Sequence, residues 1–240
     1  MKKLFILLFI LLPLYVCRAQ EEGKWKVDWS TTVRMSGATG QYVPFWARTG
    51  EDGILPVRSS GLVTAGTDVT YILDPQWSFS AGVNLVGVMA QKSPLNPSPA
   101  YGLVDRLFAT ASWRKIHLDL GMRPRHGDLG PLSVTGGDIM MSGNSRNMPG
   151  VNLRTDWMSL EKFKWFAIKA NIAHYHMIDR RVVKGTMLHD KSVSARLSLG
   201  PKVDLMGGLR HYAMWGGVSD KEGPMGSSLN DYIKVFFASR

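Results

Sequence analysis

The stretch LFATASWRKIHLDLGM, Leu107–Met122, decides the fold. Leu107, Ala109, Ala111 and Trp113 alternate with Phe108, Thr110, Ser112 and Arg114. After Lys115, the residues Ile116, Leu118, Leu120 and Met122 alternate with His117, Asp119 and Gly121. Successive side chains of a strand point to opposite faces, so period two gathers the apolar groups on one face and most polar ones on the other. The tight Arg114-Lys115 junction joins two such strands. A water-soluble sandwich would show the same alternation. The polar side, however, carries Arg114, His117, Asp119 and Arg123 at close intervals. Strands with an apolar outside and a wet, charged inside are those of a transmembrane barrel.

The pattern repeats on both sides of this hairpin. Upstream, Trp25 to Met35 alternates, and so do Val63 to Leu73 and Trp77 to Met89, the last two separated by an Asp74-Pro75 turn signal. Downstream come Val151 to Trp157, Phe166 to Ile172, Val193 to Leu199 and Val203 to Leu209. Ile233, Val235 and Phe237 read as a last strand. These make about ten alternating runs. Most are near the roughly 9–11 residues with which a tilted strand crosses a bilayer, and the connections alternate short and long. The expected fold is therefore all-β: an antiparallel transmembrane β-barrel, partial, with irregular loop or plug segments. Gln41 to Ser60 reads as a plug-like or periplasmic segment, Pro124 to Gly150 as a long Gly-rich loop, Asp179 to Asp190 as a charged loop and Gly216 to Ser228 as another loop. The chain ends in Ala238-Ser239-Arg240 without a finishing strand. The barrel domain, residues 20–240, is accordingly expected to be incomplete at its C-terminus.

Residues 1–19 read as a signal peptide: Lys2 and Lys3, an apolar run from Leu4 to Val16, then Cys17-Arg18-Ala19 before the cleavage point. Cleavage removes Cys17, the only cysteine of the 240-residue chain, so the exported protein is expected to hold no disulfide. Taking Lys2, Lys3 and Arg18 from 29 Lys and Arg leaves 26 against 19 Asp and Glu, a net charge of +7. A basic exported chain points away from nucleic acid and toward anionic glycans, lipopolysaccharide or phospholipid head groups. The other reading of the surplus is ordinary loop cations and ion pairs. No mature segment has the roughly 20 consecutive apolar residues of a membrane helix. Only a closed barrel would then span.

Three features point to a family: the signal peptide with its Trp29 strand, Pro44-Phe45-Trp46-Ala47-Arg48 followed by Gly50, Gly53 and Pro56, and the segment from Gly136-Gly137-Asp138 through Asn144-Ser145-Arg146-Asn147 to Pro149-Gly150. On these the chain resembles the Wzi-type capsule assembly proteins, over the N-terminal part of such a barrel. The resemblance implies an outer-membrane barrel with small helical parts that binds exported capsular polysaccharide at the cell surface and is not an enzyme. It implies neither cofactor nor metal.

The candidate polysaccharide-binding residues are Arg106, Arg114, Arg123, Arg146, Asn144, Asn147 and Trp46. Guanidinium groups pair bidentately with carboxylates and phosphates, so a row of Arg on the wet face would grip an acidic glycan. The competing reading is a set of ion pairs that hold the barrel interior. Asn144, Arg146 and Asn147 offer donors and acceptors for sugar hydroxyls if their loop folds into the lumen; otherwise the segment is a Gly-rich turn. Trp46 lies off the strands and suits sugar stacking, whereas the other tryptophans near strand ends read as interfacial belts. His174 and His176 share a face two residues apart, but no tetrahedral ligand set completes them. An anion-favouring channel is the alternative function. A membrane-embedded lipid or glycan hydrolase using His117 or His126 is a third, without a nucleophile-elbow motif to support it.

Overall fold

The computed structural model describes residues 24–93, 98–125, 143–179 and 182–239. The signal peptide, Cys17, His126, Asp128 and the first part of the Gly136–Gly150 segment lie outside these residues. Among the described residues there are thirteen strands: β1 Trp25–Ser36, β2 Ser60–Ile72, β3 Trp77–Ala90, β4 Ala100–Trp113, β5 Ile116–Met122, β6 Gly150–Thr155, β7 Met158–Ser159, β8 Phe166–His176, β9 Val183–Lys184, β10 Met187–Ser198, β11 Asp204–Trp215, β12 Val218–Ser219 and β13 Gly223–Pro224. The described α-helix, α1, covers Leu229–Phe237.

The long strands form one antiparallel sheet in chain order, from β1 through β6 to β8, β10 and β11, with β7 pairing beside β8. Each strand pairs with its neighbour in sequence, which is the up-and-down order that local hairpins dictate. The fold is all-β and antiparallel, as the alternation predicts. β1 and β11 do not pair with each other, so the sheet is open at two edges.

The central hairpin holds its predicted register, Leu107 opposite Met122 and Trp113 opposite Ile116. Arg114 takes φ +52° in the two-residue turn between them, a conformation that matches the twist of the flanking strands. At the β2–β3 turn, the Asp74 carboxylate accepts the amides of Gln76 and Trp77 at 2.7 and 2.8 Å, the local mechanism by which Asp initiates a turn.

The alternation sorts the sheet into two unlike faces. On one, Trp29, Val33, Leu85, Leu107, Leu120, Leu153, Val193 and Leu209 stand exposed. An aromatic row crosses that face where the short connections lie: Trp25 against Tyr71 at 4.6 Å, and Trp77 against Phe79 at 6.2 Å and Trp113 at 6.4 Å. The strand ends that lead into the long connections, after β1, β3, β5 and β8, all lie at the other end.

The second face is polar along its middle and carries two small cores toward the long connections. Leu62, Val86 and Val88 pack with Ile54, Leu55, Tyr101 and Leu103. Ala173, Tyr175, Met177 and Leu188 pack with Met148 and Tyr212. Ile54 and Leu55 come from the connection between β1 and β2, which folds back over the sheet and is closed on itself by the Val43 amide donating to Val57 O at 2.9 Å.

Three expectations are corrected. The last segment is helical, not a strand. Ser228 and Asp231 cap it reciprocally, each side chain accepting the other's backbone amide, and Tyr232 and Phe236 then fall one turn apart on a single side. The charged loop expected over Asp179–Asp190 ends sooner, since β10 begins at Met187 and includes His189 and Asp190. The loop expected from Gly216 to Ser228 contributes β12 and β13 to a three-stranded sheet with β9.

Candidate functional site

Where the two faces differ most, the sequence places Arg and Asp at like parity on adjacent or next-but-one strands, and the structure pairs them. Arg106 on β4 donates to Asp68 on β2 at 3.0 Å. Asp119 on β5, 3 % exposed, accepts Arg154 Nε of β6 at 2.7 Å and Thr110 Oγ1 of β4 at 2.8 Å. Arg123 approaches the same carboxylate at 3.5 Å, donates to Thr110 and lies 4.8 Å over the Phe108 ring. Farther along, Asp190 accepts Arg210 at 3.1 Å and Asn171 at 3.3 Å. Two of the seven candidate residues, Arg106 and Arg123, are thus bound into the wall of the polar face. Arg123 helps neutralise the buried Asp119 and Arg106 pairs with the half-buried Asp68, which favours the ion-pair reading for both.

Asn144, Arg146 and Asn147 behave differently. The described part of their loop lies against the connection between β1 and β2 and against β4. The Gly50 amide donates to Asn144 Oδ1 at 2.8 Å, and Asp52 N to Gly143 O at 2.7 Å. Arg146 donates to Val104 O at 2.6 Å, and Asn147 Nδ2 to Asp105 O at 3.2 Å. Gly53 makes this approach possible: a Cβ there would sit 2.6 Å from Asn144 O, and its φ is +65°. The result is a patch over the polar face, at the end of the long connections, in which two loops distant in sequence present amide and guanidinium groups together.

The patch contains a residue the alternation did not single out. The β3–β4 register slips between Asn84 and Leu85, leaving Asp105 as the extra residue of a β-bulge, 6 % exposed. Bulges re-aim side chains, and this one turns the Asp105 carbonyl to Asn147. The signal was present in the sequence as two successive polar residues, Asp105-Arg106, where alternation calls for one.

Trp46 sits on the short 3-10 helix Phe45–Ala47, 77 % exposed beside Phe45 at 63 %. It stands clear of the strands, as expected, on the same segment that holds Asn144. Arg114 does not join the site. It is exposed in the β4–β5 turn, at the end of the short connections, with its guanidinium 5.5 Å from the Trp113 ring. Strict parity failed there because the turn residue has left the strand conformation.

The hydrolase reading can be set against geometry at His117. Its Nδ1 lies 2.8 Å from Ser112 Oγ and its Nε2 3.1 Å from Asp156 Oδ2. Nucleophile, base and carboxylate types are therefore adjacent. Acyl transfer also needs donors aimed at a developing oxyanion. Ser112 stands on a flat strand paired on both sides, opposite Ser78 and His117, so its own amide belongs to the ladder. The arrangement serves as a cross-strand hydrogen bond on the wall. Among the described residues no group of three or more His, Cys, Asp or Glu is placed to hold a metal ion. No described helix is long and apolar enough to cross a membrane, which says nothing of strands.

In comparisons with known proteins, no family model and no curated protein matches the chain.

Proposed function

We propose that the chain forms part of an outer-membrane β-barrel that binds and organises anionic capsular polysaccharide at the cell surface, without catalysing a reaction. This is the function that the resemblance to the Wzi-type family implies. The single observation that carries it is the Asn144–Asn147 loop held against the plug-like segment over the polar face, with Arg146 in the patch.

The exposed apolar face supports the membrane part of the reading. So extensive a greasy surface on one side of a sheet is costly in water, and lipid covers it at no such cost. The aromatic row at the short-connection end suits a membrane interface. In barrels of this kind short turns face the periplasm and long loops the exterior. β1 begins at the short-turn end, so the patch would face outward. Sugar hydroxyls would then meet Asn144, acidic groups would meet Arg146, and a sugar face would stack on Trp46, while the buried Asn147, 5 % exposed, would hold the loop on Asp105. Each contact is weak. A repeating glycan multiplies them through effective concentration. The plug-like segment lying over the polar face weighs against an anion channel.

The experiment is retention of an acidic capsular polysaccharide by the protein in outer-membrane vesicles. Arg146→Ala and a deletion of 143–147 should each lower retention, with Arg114→Ala as the unaffected control. Unchanged retention in the deletion, with sheet structure intact, would defeat the reading. A rise in ion conductance on the same deletion would favour the channel.

A further inference from the structure

One part of the apolar face is not apolar. At the long-connection end of β8, β10 and β11, His174, His189, His211 and Lys191 share the face of Ile172 and Val193. His174 stands directly opposite His189, and His211 opposite Lys191. Helix α1 lies on this patch. Its Tyr232 ring meets His174 at 5.5 Å, His189 at 5.6 Å and Trp215 at 5.3 Å, and Phe236 meets His189 at 5.5 Å. Lys191 donates to the Phe236 carbonyl and lies 4.5 Å from its ring.

His189 is fully enclosed, 0 % exposed, and neither of its ring nitrogens has a hydrogen-bond partner among the described residues. The Nδ1 atoms of His174 and His211 are without one as well. A neutral imidazole tolerates this, but an imidazolium does not, because burying an unpaired charge is far more costly than burying a polar group. Among the described residues no carboxylate on this side is placed to compensate. Asp190 belongs to the opposite face and holds Arg210 and Asn171. Asp231 of α1 is engaged by Ser228. Apart from the neighbouring Asp190, the described groups around His189 are Lys191 on its own strand, His211 on β11, His174 on β8, and Tyr232 and Phe236 on α1. None is acidic.

We propose that α1 is a proton-released latch: taking up a proton at His189 drives the helix off the face of β8, β10 and β11. The helix is lightly held, which makes release feasible. None of its residues is buried, and Leu229, Ile233 and Phe237 remain exposed while it is docked. Its attachment rests on two aromatic rings and one lysine. Lifting it admits water to the imidazolium and removes the Lys191–carbonyl contact. Histidine is the side chain whose charge changes between about pH 5 and 8, so the device works over a range met outside a cell.

The test is hydrogen exchange of the 228–239 peptide in the full chain in detergent, corrected for intrinsic exchange, from pH 8 to pH 5. Protection of α1 should fall by about tenfold or more, one pKa unit being a factor of ten, while amides of β10 stay protected. His189→Phe should retain protection at pH 5. His189→Gln, which does not titrate and keeps a polar side chain, serves if the Phe variant loses its strand protection. The cap does not confuse the result: the Ser228 hydroxyl and amide hold the Asp231 carboxyl below its ordinary value, so it stays ionised at pH 5. Constant protection across the range, or an equal fall in the non-titrating variant, overturns the proposal.

Discussion

Replacing Asp119 by Asn probes whether the polar face is held by its ion pairs. The carboxylate is 3 % exposed and accepts bonds at 2.7 Å from Arg154 and 2.8 Å from Thr110, with Arg123 at 3.5 Å. The amide keeps one acceptor oxygen, loses the charge, and turns a second donor toward two guanidinium groups. Removing one member of a buried pair costs about 3–5 kcal/mol. Here the two arginine side chains are 26 % and 31 % exposed, so water recovers part of that. The expected loss is about 2–3 kcal/mol. The contrast is Asp156→Asn: Asp156 is 58 % exposed, 3.9 Å from Arg154 and 3.1 Å from His117 Nε2, where a loss under about 1 kcal/mol is expected. Urea unfolding in detergent micelles, followed by tryptophan fluorescence, reads both. A double-mutant cycle of Asp119→Asn with Arg154→Met should return a coupling of about 1–2 kcal/mol, since residues within one network are not additive. If Asp119→Asn costs no more than Asp156→Asn, the carboxylate is not the clasp that its geometry indicates.

Leu85→Arg places a charge in the middle of the exposed apolar face and is expected to destabilise the protein in a bilayer by about 2–4 kcal/mol, measured by folding into lipid vesicles. No such penalty in lipid would count against membrane burial of that face. Gly82→Ala is expected to cost about 1–3 kcal/mol by overpacking, because its Cβ would fall 2.8 Å from Phe108 Cζ and against Asp68; a lower thermal midpoint is the readout. The Asp231 carboxyl is depressed by its bonds to Ser228. Its contribution to α1 is therefore present above the ordinary carboxylate range and is lost as pH falls through the depressed value. Asp231→Asn should lower α1 protection alike at pH 8 and pH 5, and a deficit that grows on acidification within that range would refute the assignment.

How much of this was legible depended on whether a residue's neighbours lay in the same strand. Period two between Leu107 and Met122 was enough to set the hairpin, its register and both faces, because each side chain's direction follows from its own backbone. The same rule misplaced Arg114, whose parity matched the polar row until the turn gave it a positive φ. It passed over Asp105, since a bulge is a statement about two strands and only one is visible at a time. At the C-terminus, Ile233, Val235 and Phe237 also fit period two, but Tyr232 and Phe236 at helical spacing carry the contacts. Only Ser228 and Asp231, three apart, marked the start of a helix there. The patch around Asn144, Arg146 and Asn147 was nameable by residue type and not by location. Gly50, Gly53 and Asp105 lie 38 or more residues away in the chain, and what joins them to that loop is a carbonyl, an amide and the absence of one Cβ. The histidines show the converse case. His174 at the parity of Ile172 was readable as part of the outward face; that a helix would come to rest on it followed from the aromatic pair on α1, which makes sense only once both surfaces are in view.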